Sequence, residues 1–294
     1  MKILITGANG FLGYYLVKQL LEKGHHVIAT GKGASRLPFS GNNFEYVSLD
    51  FTDPFETHDV FEKFTPGTVI HAGAIGKPDD CELHQWQAYL TNVEGTVTLL
   101  MNADEQKSHF IFVSTDFVFD GEKGMYKEED ETAPVNFYGK TKQEGEDAVK
   151  EYEHDWAIVR TVLVYGKPLA GRSNILTIVK DKLEKGEEYS VVDDQVRTPT
   201  YVEDLAAGIV TIAEMKAKGI YHLAGTDVLT PYEMAIKTAD HLELNKLLIK
   251  KVIAASFSQP AKRPPKTGFV IDKAKTELGF SPISFEEGLK KTFA

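Results

Sequence analysis

Three glycines spaced by threes, in Gly7-Ala-Asn-Gly10-Phe-Leu-Gly13, constrain this chain more than any other stretch. They follow Lys2-Ile-Leu-Ile-Thr6, a short apolar run that reads as a buried parallel strand stopped by glycine. Behind them, Tyr14 to Gly24 reads as a helix closed by a C-terminal glycine. A second strand, His26-Val-Ile-Ala-Thr30, comes next. Strand, glycine turn, helix and strand together predict an α/β fold of the Rossmann type, a doubly wound parallel sheet. The glycines permit a tight turn, a close approach of backbone N–H groups to a pyrophosphate, and helix-on-strand packing. Gly7, Asn9, Gly10, Phe11, Leu12 and Gly13 are therefore the first candidates for dinucleotide contact.

The end of the second strand selects between the two nicotinamide dinucleotides. An acid there binds the ribose hydroxyls of NAD, whereas a basic residue accommodates the additional phosphate of NADP. The stretch Ala29-Thr-Gly-Lys32-Gly-Ala-Ser-Arg36 holds no carboxylate, so NADP(H) is expected and NAD(H) remains possible. The alternative for Lys32 and Arg36 is that both are solvated loop charges. A third strand, Phe44 to Leu49, ends at Asp50, and a fourth, Val69 to Ala72, ends in small residues. Asp50 and Phe51 are assigned to the adenine end of the cofactor, and Ala72, Gly73 and Ala74 to its path across the sheet edge. His71 reads as a strand-end histidine with satisfied hydrogen bonds. Asp79-Asp80-Cys81-Glu82 reads as a helix start rather than a metal site, because acids favour that end and no second cluster lies nearby.

Composition removes several classes of function. A net charge of −10 disfavours nucleic acid as a main partner. No apolar run approaches the roughly 20 residues of a membrane-spanning helix. Met1-Lys2 runs straight into a strand without a signal-peptide pattern. Cys81 is the single cysteine, which excludes an intrachain disulfide and fits a cytoplasmic location.

The candidate chemistry lies further on. Phe110-Ile-Phe-Val-Ser114 is the most apolar strand and runs into Thr115-Asp116-Phe117. A hydroxyl at the C-terminal end of a central parallel strand faces the crevice where ligands sit. The next helix carries Tyr138 and Lys142, four residues apart and therefore on one face. A phenol beside an ammonium can donate and accept a proton, since one charge at ~4 Å in an effective dielectric of ~20 is worth about 4 kcal/mol. Spacing alone decides little, because 12 tyrosines and 28 lysines in 294 residues produce about one such pair by chance. Tyr14 and Lys18 form a second pair, in the helix behind the glycines, where the ring is expected to pack on the sheet. Asn92, polar amid apolar neighbours, is either a helix-kinking structural group or part of a proton relay.

Taken together, Gly7-x-x-Gly10-x-x-Gly13, Asn92, Ser114-Thr115-Asp116 and Tyr138-x-x-x-Lys142 resemble the extended short-chain dehydrogenase/reductase family. The stretch 114–119, then Pro134-x-Asn-x-Tyr138-Gly-Lys-Thr-Lys142, is similar to its dTDP-4-dehydrorhamnose reductase branch, as are Arg160-Thr161, Asp194-Gln195 with Pro199-Thr200, and Arg263-Pro264. Val162-Leu163 and Phe11 depart from the branch, which has Ser-Trp and Gln there. The resemblance implies that Tyr138 protonates a carbonyl oxygen and that Lys142 lowers the phenol pKa and holds the nicotinamide ribose. It further implies that Thr115 binds the reacting oxygen and that Asn92 orders the relay. Asp116, Asn174, Gln195, Arg197 and Arg263 would contact a nucleotide-sugar under a smaller C-terminal α/β lobe, although the arginines could equally form lobe-to-lobe salt bridges.

The implied activity is NADP(H)-dependent reduction of a nucleotide-linked 4-keto sugar. An epimerase or dehydratase uses the same Tyr and Lys, but dehydratases of the family carry Asp-Glu after the Thr, and here Asp116 precedes Phe117. A third possibility is a non-catalytic NADP-binding subunit, like that of methionine adenosyltransferase. A homodimer is compatible with either family role. The expected division places the cofactor domain at 1–161 with 200–223 and the substrate lobe at 162–199 with 224–294.

Overall fold

The computed structural model describes residues 1–168 and 173–294. In chain order its first half runs β1 (Lys2–Thr6), α1 (Phe11–Glu22), β2 (His26–Gly31), β3 (Phe44–Ser48), α2 (Pro54–Phe64) and β4 (Thr68–His71). There follow α3 (Pro78–Leu83), α4 (Gln85–Tyr89), a π-helical turn (Leu90–Glu94), α5 (Gly95–Glu105), β5 (His109–Thr115) and α6 (Phe137–Lys150). The second half holds β6 (Trp156–Thr161), β7 (Val164–Tyr165), α7 (Ile175–Glu184), β8 (Tyr189–Val192), β9 (Thr200–Tyr201) and α8 (Val202–Met215). It closes with β10 (Gly219–His222), α9 (Pro231–His241), β11 (Ile249–Val252), α10 (Asp272–Leu278) and α11 (Phe285–Phe293).

Seven strands form one sheet in the order β10-β6-β5-β4-β1-β2-β3, with every neighbouring pair parallel. The central strands β1, β4, β5 and β6 are short apolar runs buried on both faces, which is what a parallel sheet covered by helices requires, whereas the edge strand β3 is only half-buried. The strand order reverses between β1 and β4, so the loops leaving their C-terminal ends diverge and open a crevice. One face is filled by α1 and α8 and the other by α2, α5 and α6. The smaller lobe pairs β8 with β11 and packs α7, α9 and α11 around Tyr165, Tyr201, Leu229 and Phe285.

Phe269 to Phe280, grouped with the lobe by the sequence reading, packs differently. Phe269, Ile271, Ala274, Leu278 and Phe280 join the main core, where α10 lies on β10 and α8. The sequence signal was absent because α10 is only 7 residues long and its apolar positions meet partners more than 50 residues away.

The predicted helix start at Asp79 is present, with Pro78 at its first position and both Asp79 and Asp80 in the first turn. Among the described residues, no helix is long and apolar enough to cross a membrane and no acid/His/Cys group could hold a metal.

Candidate active site

The glycine loop is narrow for steric reasons that differ at each position. Gly7 has φ +70°, and a Cβ there would meet Ala72 O at 2.8 Å. A Cβ on Gly13 would lie 2.3 Å from Gly7 O, so helix α1 could not close on the loop with any other residue. Gly10 caps α1 without a side-chain hydrogen bond, which leaves the first-turn N–H groups available to a ligand. Asn9 holds the loop from behind. Its Nδ2 donates to Ala34 O at 3.1 Å and to the Tyr46 hydroxyl at 2.7 Å, and its Oδ1 accepts from Arg36 N at 2.9 Å. Arg36 Nη2 returns to Asn9 O at 3.1 Å, placing a guanidinium beside the glycines. Tyr46, which carries no motif and was missed in the sequence, anchors this loop by donating to Gly31 O or Gly33 O at 2.9 Å.

A cleft of about 1130 Å³ runs from this loop to the lobe. Gly10, Phe11, Leu12, Arg36, Ala72 and Ala74 line one end, and Asn174 and Arg263 line the lobe side. Between them lie Thr115, Asp116, Tyr138 and Lys142. Strand β5 delivers Thr115 at its last residue, and α6, capped by the Asn136 side chain on Gly139 N at 2.8 Å, presents Tyr138 in its first turn. Gly139 lets α6 approach closely, since a Cβ there would lie 2.1 Å from Phe117 O. The Tyr138 ring meets Phe117 edge-on at 5.9 Å.

Lys142 is 2% exposed, with Nζ 3.8 Å from the centroid of the Phe112 ring. Burial depresses its pKa to about 7, against the raising pull of Glu146 and Cys81. Thr115 Oγ1 donates to Asp116 Oδ1 at 3.1 Å, while Asp116 Oδ2 accepts from the Thr267 hydroxyl. Burial raises the Asp116 carboxyl above its ordinary value, opposed by Arg197 and by those two hydroxyls.

Asn92 sits in the π-helical turn, 1% exposed, and clamps the loop after β4 to α6. Its Oδ1 accepts from Ile75 N at 2.8 Å, and its Nδ2 donates to Ile75 O at 3.1 Å and Thr141 Oγ1 at 3.0 Å. His71 is satisfied as expected, by the Thr6 hydroxyl at 2.6 Å and the Thr96 hydroxyl at 3.0 Å.

Several expected contacts are placed elsewhere. The Phe51 ring is buried in the core, where a Cβ on Gly73 would lie 2.7 Å away and one on Gly95 2.6 Å. Arg197 is 3% exposed and lies outside the cleft lining. Its guanidinium donates to Val196 O, Pro265 O, Pro264 O and Gln195 Oε1 at 2.8–3.1 Å, with Asp116 Oδ2 at 3.9 Å. Gln195 is buried as well, its side-chain oxygen accepting from Arg197, and it too lies outside the cleft lining. Arg263 does face the cleft but forms a two-pronged ion pair with Asp79, 2.6 Å on each prong. Lys32 and Asp50 pair with each other at 2.7 Å, outside the cleft lining. Tyr14 is half-buried, packing against the main core as expected with its ring on Phe39 at 5.2 Å, while its neighbour Tyr15 takes the fully buried position.

A family model described as the RmlD substrate binding domain matches residues 1–294. The chain is 34% identical over 249 residues to methionine adenosyltransferase 2 subunit beta of Bos taurus, covering 83% of this chain and 72% of that protein. It is 31% identical over 302 residues to a dTDP-4-dehydrorhamnose reductase of Aggregatibacter actinomycetemcomitans, covering 98% and 97%. The structure of the Bacillus anthracis dTDP-4-dehydrorhamnose reductase in complex with NADP superposes with a TM-score of 0.84 at 30% identity, covering 100% of this chain and 99% of that one.

Proposed function

Because the chain belongs to the RmlD substrate-binding domain family of extended short-chain dehydrogenases and reductases, we propose that it reduces a nucleotide-linked 4-keto sugar with NADP(H). One observation carries this reading. Thr115, Tyr138 and the buried Lys142 share a single cleft with the glycine loop.

The residues present fit a dinucleotide. The loop held open by Gly7, Gly10 and Gly13 suits a pyrophosphate, and Arg36 beside it suits a phosphate monoester. The nicotinamide, when bound, supplies the hydride for the carbonyl carbon. Tyr138 holds the proton at its phenol oxygen and releases it to the carbonyl oxygen. The Lys142 ammonium stabilises the phenolate left behind and donates hydrogen bonds to the ribose hydroxyls. Thr115 orients the carbonyl oxygen, for which its proton turns away from Asp116. At the lobe side, Arg263 binds the diphosphate in exchange for its present partner Asp79.

Turnover of NADPH with a panel of nucleotide-linked 4-keto sugars tests the reading, and absence of turnover on every member removes it. Calorimetric titration tests the cofactor. NADPH binds at least about tenfold tighter than NADH, since a charge-assisted phosphate contact is worth ~1.5–3 kcal/mol. Equal affinities leave Lys32 and Arg36 as surface charges.

A second reading rests on one specific observation, the 34% identity over 249 residues to methionine adenosyltransferase 2 subunit beta, beside 31% over 302 residues to the reductase. In that case the chain binds NADP and a partner enzyme. Recovery of a stoichiometric partner, with no keto-sugar turnover, selects it. A dehydratase is disfavoured because Phe117, where a second acid would stand, packs its ring on Tyr138.

A further inference from the structure

We propose that Glu146 is a positioning residue for Lys142, a buried carboxylate one helical turn away whose charge decides how firmly the ammonium holds its proton. The value of this to catalysis rests on the function proposed above, whereas the electrostatic relation itself does not.

Lys142 and Glu146 are four apart on α6 and share its inward face, 2% and 0% exposed. Two neighbouring strands fix the carboxylate. From β5, Ser114 Oγ donates to Glu146 Oε1 at 2.6 Å. From β6, Arg160 donates through Nε to Oε1 at 2.9 Å and through Nη2 to Oε2 at 2.7 Å. Arg160 Nη1 reaches Glu128 O at 3.4 Å, and the guanidinium stands 5.0 Å from the Phe119 ring centroid. The carboxylate is therefore held rigidly, with no freedom to swing onto the lysine.

The other groups around the ammonium supply little charge. The Cys81 thiol on α3 is pushed up to about 11, first by burial and then by Asp80, so it stays neutral. His71 on β4 is held well below its ordinary value by burial and by Lys142 itself, so it is neutral too. Phe112 offers its ring face, which attracts the cation but carries no net charge. Tyr138, one turn before Lys142, is the phenol it serves. Glu146 is thus the fixed negative charge in this set, and Arg160 cancels part of its field. The result is a lysine whose burial favours its neutral form and whose ammonium is favoured chiefly by Glu146.

The test is a pH titration of the protein carrying 13Cε-labelled lysine, with the Lys142 signal assigned by its loss in Lys142→Met. In the unaltered protein that signal titrates far below the surface lysines. Glu146→Gln moves its midpoint down by about one unit or more, a tenfold smaller charged fraction above the midpoint. Glu146→Asp, which keeps the charge, restores most of the shift. Removing one partner of a buried pair is poorly tolerated, so Glu146→Gln combined with Arg160→Met provides a variant with no orphaned charge, and its midpoint also falls. A Lys142 signal that titrates with the surface lysines overturns the proposal. So does an unmoved midpoint in either folded Gln variant, or an Asp variant that behaves like Gln.

Discussion

Two Tyr-x-x-x-Lys pairs lie on helices of this protein, Tyr14 with Lys18 and Tyr138 with Lys142, and they have nothing in common beyond their spacing. Lys18 is 39% exposed and reaches Glu22 at 3.9 Å, an ordinary pair along a helix surface. Lys142 is enclosed, stands over an aromatic ring and has its pKa depressed to about 7 by burial. Tyr14 rests on Phe39, whereas Tyr138 opens into the cleft between the sheet and the lobe. The same four-residue interval thus gives a half-buried ring beside an exposed lysine on α1 and, under the proposed function, a proton-handling pair on α6. What separates them is which helix face the fold encloses.

The contrast breaks most sharply at the phenols. Tyr138→Phe keeps the ring and removes the proton, and general acid catalysis is worth ~10²–10⁴-fold. On a confirmed substrate its kcat falls by at least the lower bound while Tm is little changed, and Tyr14→Phe turns over normally. Full activity in Tyr138→Phe would sink the assignment. At the lysines, Lys142→Met weakens NADP(H) binding and moves the alkaline limb of the rate profile upward, because the phenol loses its stabilising charge. Fluorescence titration of NADPH across pH, alongside Lys18→Met, checks both effects.

Stability distinguishes the pairs by sign. The folded value of Lys142, about 7, lies below the roughly 10.4 of an unfolded lysine. Between those values the unfolded chain binds the additional proton, so the contribution of this group to stability rises with pH. Urea unfolding of the cofactor-free protein, compared with Lys142→Met, should show the difference between the two shrinking from pH about 7 to about 10. A pH-independent difference contradicts the buried-ammonium picture. The smallest effect belongs to the surface pair, where Lys18→Met changes stability by less than ~0.5 kcal/mol in the same measurement.

The parts of this architecture that were legible in the sequence are those written locally. The glycine triplet, the apolar strands and the Tyr138 helix each declare themselves within about a dozen residues. What stayed hidden depends on partners far along the chain. Arg197 reads as a ligand-binding arginine until Pro264 and Pro265, 67 and 68 residues on, take its donors. Phe51 reads as an edge residue until Gly73 and Gly95 close around it. The bond that Ser114 donates to Glu146 spans 32 residues and has no local signal in the sequence. Asn92 has two roles open to it in the sequence, and its hydrogen bonds make it a clamp on the loop at Ile75.

The interleaving of the two cores bears on how such a protein can be altered. The chain leaves the sheet after Thr161, returns for α8 and β10, leaves again after Leu223, returns for Phe269 to Phe280, and leaves once more for α11. The lobe is therefore not a cassette. An exchange with a relative would have to splice the backbone at five places at once and rematch the packing of Arg197 and Thr267 against Asp116 at each attempt. Single substitutions along the lobe side of the cleft, at positions such as Ile175, Ile178 and Tyr189, face no such obstacle. Diversification of a chain wound in this way proceeds by repainting one wall rather than by moving rooms.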